Sequence, residues 1–104
     1  MDETKYIVGK NMEDNWKIYK GSSQKDTVFH LDKFSSPYVI VNVPVDQLST
    51  QQINIAASLC KEKSKYKNLP SLGVMYTSIA NTKLGTKVGS FIVASNRKRK
   101  VVNL

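Results

Sequence analysis

The sequence contains few of the residues that build catalytic and metal centres. It has one cysteine, one histidine and one tryptophan in 104 residues. The single cysteine, Cys60, cannot form a disulfide within the chain and has no CxxC partner with which to bind zinc. We therefore expect no metal and no cofactor, and we interpret Cys60 as a buried thiol on the apolar face of a helix.

Long apolar runs are also absent. No segment approaches the roughly 20 apolar residues that a membrane-spanning helix needs, and the longest block, residues 38–43, is soon interrupted. The first ten residues, MDETKYIVGK, carry acidic side chains where a secretory signal would have a basic start and an apolar run. We expect a cytoplasmic protein without integral membrane association.

Acidic residues are scarce relative to basic ones. Sixteen Lys and Arg stand against eight Asp and Glu, which gives a formal net charge of +8. Such an excess favours a polyanionic partner, and RNA, DNA, an anionic membrane surface or an acidic protein would all satisfy it. The length predicts a single domain over residues 1–104.

Apolar periodicity predicts an α+β fold, with a mostly antiparallel sheet packed against one main amphipathic helix. The helix begins after Ser49, which forms a capping box with Gln52, and it ends near Tyr66. Residues 11–24 are polar, and we predict a long, partly structured connection there. A turn at Ser95 and Asn96 joins the last two strands. Strands are predicted at residues 5–8, 27–31, 38–43, 73–77, 90–94 and 99–102.

The sequence gives little support for catalysis. His30 and Asp32 lie two residues apart in a predicted strand, so both side chains share one face and could polarise a proton transfer. A histidine hydrogen-bonded within or beside the sheet is the commoner arrangement. The segment TKLGTKVGS lacks the spacing of a phosphate-cradling loop. We do not expect an enzyme.

The basic residues fall into four groups. Lysines that neutralise phosphates release counterions, and aromatic side chains between them can stack on unpaired bases. For the group at residues 97–100, phosphate contact and simple solvation are both open interpretations. The groups are Lys10, Lys17, Lys20 and Lys25 around Trp16 and Tyr19; Lys61, Lys63, Lys65 and Lys67; Lys83 and Lys87; and Arg97, Lys98, Arg99 and Lys100.

Three segments resemble the NFACT-R domain, the RNA-binding module of ribosome quality-control factors. They are KYIVGKNMEDNWKI, DTVFHLDKFSSPYVIV and VMYTSIANTKLGTKVGSFIV, and together they span about residues 5–102. The resemblance is greatest to the free-standing eukaryotic branch called coiled-coil domain-containing protein twenty-five. The positions that match the family pattern are Gly9, Lys10, Asn15, Asp26, His30, Asp32, Tyr76, Thr77, Asn81 and Lys83.

The sequence also departs from that pattern. Val28 stands where the family usually has tryptophan, which removes a stacking side chain, and Leu84 stands where a second lysine is common. The carboxy-terminal coiled coil of the free-standing branch is missing, so the chain is either a reduced version of that branch or a form from which this segment has been cut away.

The resemblance implies binding of structured RNA, transfer or ribosomal, in association with the ribosome, through contacts with the RNA backbone. The lysine group at residues 61–67 has no counterpart in the resemblance and should matter less. Two alternatives stay open: binding of DNA or of any polyanion, and a protein-interaction module that docks through its sheet face or edge. The predicted nucleic-acid contacts are Lys10, Asn15, Trp16, His30, Lys33, Lys83, Arg97, Lys98, Arg99 and Lys100.

Overall fold

The computed structural model describes residues 4–86 and 90–104. Within these ranges, no helix is both long enough and apolar enough to cross a membrane. The helices and strands are, in chain order, β1 Tyr6–Val8, α1 Met12–Lys20, β2 Thr27–Leu31, β3 Val39–Val41, α2 Thr50–Glu62, β4 Gly73–Ser78, β5 Thr82–Leu84, β6 Phe91–Val93 and β7 Lys100–Asn103.

The strands form one antiparallel sheet and a separate two-stranded ribbon. The sheet has the order β1-β3-β2-β4-β7, and the ribbon consists of β5 and β6. In the centre of the sheet His30 pairs with Met75, and Leu31 pairs with Val74. The predicted α+β class with a mostly antiparallel sheet is confirmed.

Helix α2 covers one face of the sheet. Its start is the predicted capping box: Gln52 N donates to Ser49 Oγ at 3.1 Å, and Ser49 N donates to Gln52 Oε1 at 2.9 Å. The helix buries Ala56, Ala57 and Cys60 in the main apolar core of the sheet. Burial raises the pKa of the Cys60 thiol, which is the buried thiol that the sequence predicts.

The predicted end of this helix, near Tyr66, is wrong. Helix α2 ends at Glu62, and Lys63 is its C-cap, with its backbone N–H donating to Leu59 O at 3.1 Å. Lys63, Lys65 and Lys67 therefore lie beyond the helix and do not continue its polar face.

The prediction of a connection at residues 11–24 is also wrong, because residues 12–20 form helix α1. Asn11 caps its start by accepting a hydrogen bond from Asp14 N at 2.8 Å, and Lys17 and Lys20 in the last turn complement the helix dipole. Asn15 is the buried residue of this helix. Helix α1 has only nine residues, and most of them are polar, which is the composition from which a connection was predicted.

The turn at residues 95–96 does not join two strands of one sheet. Strand β6 pairs with β5, a strand that the sequence did not predict. Strand β7 pairs with β4. The side chain of Asn81 holds the backbone at the point between β6 of the ribbon and β7 of the sheet. Its Nδ2 donates to Ser95 O at 3.0 Å, and its Oδ1 accepts from Ser95 N at 3.0 Å. Thr77 adds a 3.0 Å bond from Oγ1 to Lys98 O.

Helix α1 packs on the other face of the sheet through Ile18 and Tyr19, and a close polar contact adds to this packing. Oδ1 of Asn15 accepts a hydrogen bond from Tyr38 N at 3.0 Å, and Gly9 N donates to Tyr38 O at 3.0 Å. A Cβ atom at Gly9 would overlap the amide oxygen of Asn15. That amide is buried and bonded, so it has no free space into which to move.

We expect Gly9→Ala to lower the free energy of unfolding by about 1–3 kcal/mol, because the added methyl overfills a packed contact. Gly21→Ala is the matched control. Gly21 has a φ of −83°, and its nearest neighbour to a new Cβ, Lys17 O, would be 3.5 Å away. Urea denaturation of both variants measures the difference, and equal losses of stability would contradict the close-contact account.

Candidate functional site

A groove of about 580 Å³ opens on the sheet face opposite α2. His30 and Met75 from β2 and β4 form its floor. The start of α1, with Met12, makes one wall, and Phe91 of β6 makes another. Residues 32–36, in the connection between β2 and β3, border the remaining side. With Arg99, which also lines it, the groove is built by five separate parts of the chain.

His30 on the floor is held in one orientation. Its ring meets Tyr38 and Phe91 edge-on, with centroids 5.8 Å and 5.7 Å away. Nδ1 lies 2.7 Å from Leu31 O. Since a carbonyl oxygen can only accept, Nδ1 carries the hydrogen and Nε2 is the acceptor that remains. Burial lowers the pKa of His30, while the bond to Leu31 opposes this less strongly. The imidazole is thus neutral at neutral pH.

The carboxylate of Asp32 forms an ion pair with Arg99. Both side chains are partly exposed, at 17% and 29%, and both line the groove. His30 is therefore a histidine that is hydrogen-bonded beside the sheet, because its Nδ1 bonds to Leu31 O and Asp32 pairs with Arg99. Because Asp32 neutralises Arg99, this arginine contributes less free positive charge than the basic run in the sequence indicates.

Asn15 and Trp16 are both engaged inside the protein. Asn15 lines the groove but is only 4% exposed, and Tyr38 N donates to its amide oxygen, which leaves its NH₂ group as a donor. Trp16 Nε1 donates to Ser90 O at 2.8 Å, and Lys20 Nζ lies 5.5 Å from the centre of the indole ring. Trp16 thus connects α1 with the start of β6.

One lysine with an exposed side chain lines the groove, and a second is close to a lining residue in the sequence. Lys33 belongs to its border in the connection after β2. Lys10 directly precedes the N-cap of α1, and its backbone N–H donates to Asp14 Oδ2 at 2.8 Å. Lys10 is two residues before Met12, which lines the groove, but Lys10 is not itself a lining residue. The structure therefore brings Lys33 and Arg99 to one groove, and Lys10 is close to it in the sequence.

The remaining predicted contacts lie elsewhere. Lys83 pairs with Ile92 in the β5–β6 ribbon, and both are exposed on the face opposite to Phe91. Lys100 pairs with Tyr76, whose side chain belongs to the α2-side core, so Lys100 and Arg99 lie on opposite faces.

Arg97 and Lys98 are exposed in the short turn before β7. The basic run of the sequence is therefore divided between the turn and both faces of the sheet. Lys87, predicted to form a group with Lys83, lies outside the described residues.

An aromatic pair at the groove was not predicted. Phe34, which borders the groove and is 40% exposed, packs on Tyr66 with ring centroids 4.4 Å apart. This contact brings the lysine group around Tyr66 next to the groove border. The signal in the sequence was an exposed aromatic residue within the turn-forming DKFSSP segment.

Over residues 4–86 and 90–104, no cluster of three or more His, Cys, Asp or Glu side chains is arranged to hold a metal ion. The groove instead combines aromatic and apolar side chains, neutral hydrogen-bonding groups and cations at its border. This combination is typical of modules that bind nucleic acid.

Comparison with known proteins supports the assignment of this chain to modules that bind nucleic acid. The chain matches the NFACT protein RNA binding domain over residues 1–95, and it belongs to that family. It is thus a member of a family of RNA-binding modules.

Among solved structures, the chain is similar to the C-terminal part of the fibronectin/fibrinogen-binding protein from Streptococcus suis, with a TM-score of 0.86 and 20% sequence identity. The match covers 98% of this chain and 41% of that one, and it shows a shared fold. The search among curated proteins finds no match.

The lowered pKa of His30 predicts a pH-dependent stability. In the unfolded chain a histidine titrates at about 6.5. As the pH falls through this value, the unfolded chain takes up a proton that buried His30 resists, so the free energy of unfolding decreases. Urea denaturation between about pH 7.5 and about pH 5.5 measures this slope, above the range in which most carboxylates titrate. His30→Gln should flatten it, and an unchanged slope would contradict the assignment.

Proposed function

We propose that this module binds structured RNA, transfer or ribosomal, in a ribosome-associated setting, through lysine and arginine contacts with the RNA backbone. The observation that carries the proposal is the groove lined by Lys33 and Arg99, in a chain with a formal net charge of +8. Membership in a family of RNA-binding modules supports RNA over other polyanions.

The two exposed lysines supply most of the attraction at the groove. Arg99 is paired with Asp32, so the net charge of the groove lining comes from Lys33, and Lys10 lies two residues before the lining residue Met12. Contacts of this kind recognise the phosphate backbone and carry no sequence information. RNA binding should therefore depend on salt and on RNA shape more than on base sequence.

We further propose that residues 1–104 act as one cytoplasmic, non-catalytic module. The segments quoted above support kinship with the free-standing branch called coiled-coil domain-containing protein twenty-five. The family match and the shared fold support a role in binding.

Paired lysine substitutions test the location of the RNA. The double variant Lys10→Gln/Lys33→Gln should bind transfer RNA more weakly and should reduce the slope of log affinity against log salt by about 1.5–2, because two phosphate contacts are lost. Fluorescence anisotropy between about 50 and 200 mM salt measures both quantities.

The matched control is Lys5→Gln/Lys25→Gln, which removes the same charge at the other end of the sheet. Lys5 N bonds to Asn42 Oδ1 at 2.7 Å after β3, and Lys25 precedes β2. This control should retain most of the affinity. Equal losses in both double variants would show that only total charge matters, and binding that ignores salt would contradict the proposal.

Competition defines the class of partner. Unlabelled transfer RNA should displace labelled RNA at lower concentrations than duplex DNA or heparin does. Equal competition by all three would indicate a general polyanion binder. A module that docks on a protein would bind none of them tightly, and charge substitutions at the groove would leave its partner bound.

A further inference from the structure

The interior of the groove differs in character from its border. Its floor and walls carry His30, Met75, Phe91 and Met12, which are aromatic or apolar. Its volume of about 580 Å³ lies within the roughly 300–1,000 Å³ of small-ligand sites. A paired RNA helix is too wide to enter such a space, whereas a single unstacked base has the flat apolar faces that suit it.

The polar groups inside the groove are neutral and have fixed roles. Nδ1 of His30 is held by Leu31 O, which leaves Nε2 as an acceptor. The oxygen of the Asn15 amide is held by Tyr38 N, which leaves its NH₂ group as a donor. One acceptor and one donor on the same groove match the edges of nucleobases, which carry donors and acceptors side by side.

The charges are arranged so that a phosphate would remain outside. Asp32 faces the groove beside Arg99 and cancels much of its charge. The unpaired cation of the border is Lys33, which is exposed, next to the 40% exposed ring of Phe34. A nucleotide would therefore place its base inward and its phosphate at Lys33.

We propose that the groove is a pocket for one unpaired base of the bound RNA, with the base on the His30–Phe91 side and its phosphate at Lys33. This inference rests on the proposed function, because it assigns a particular element of RNA to the same site. It predicts that the protein distinguishes RNA with an extruded nucleotide from RNA that is fully paired.

The test uses two RNA duplexes of equal length, each with one bulged nucleotide in the middle. In one duplex the bulge carries adenine, and in the other it is abasic, so the phosphates are identical. We expect the protein to bind the adenine bulge at least about fivefold more tightly, as stacking of one base on aromatic side chains allows. A fully paired duplex should bind like the abasic one.

Two surface variants locate this preference. Phe34→Ala should reduce the ratio between the two RNAs towards one, with little change for the abasic duplex. Ile55→Ala is the matched control, since Ile55 is also 40% exposed but lies on the outer side of α2. That control should keep the full preference.

His30 gives a second readout, which does not depend on any substitution. It is the only histidine of the chain, so its imidazole nitrogens give unique NMR signals. The Nε2 signal should shift with the adenine bulge and stay in place with the abasic bulge.

Equal affinities for the two bulges, together with an unmoved His30 signal, would overturn the pocket while leaving RNA binding intact. A protein that binds neither RNA would overturn the proposed function, and the pocket with it.

Discussion

The candidate site depends on the docking of helix α1, to which the buried amide of Asn15 contributes a hydrogen bond with the backbone of Tyr38, in the space that Gly9 leaves free. Ile18 and Tyr19 of the same helix pack on an apolar cluster of the sheet, and Asn15 is its buried residue. Loss of a buried hydrogen bond costs about 1–3 kcal/mol, a large share of the stability of a domain of this size. Since α1 forms a wall of the groove, the same contact helps to position that wall.

The helices and strands that were predicted correctly are those whose apolar pattern or capping residues match the way they pack in the fold. Strand β2 is found at the predicted residues 27–31, and Ser49 caps α2 as its spacing indicates. Helix α1 was missed because most of its nine residues are polar, although Met12, Trp16 and Tyr19 follow helical spacing. Strand β5 was missed because it has three residues and pairs only with β6.

The site was predictable in part, since charge shows which residues attract a polyanion but not which of them meet. Asp32 and Arg99 are far apart in the sequence, and only the fold reveals that one neutralises the other. Several positions that match the family support the framework: the side chains of Asn15 and Asn81 bond to backbone groups, and Thr77 bonds to Lys98 O. A matching position can thus be essential without touching a ligand.

The account joins these observations in one claim, that RNA lies on the sheet face opposite α2, at the groove. The most direct test is an amide NMR map of the whole chain with and without transfer RNA. We expect the largest shifts at Met12, Lys33 and Phe34, around the groove. Shifts concentrated instead on the outer side of α2, at Asn54, Ile55 and Ser58, would contradict the account.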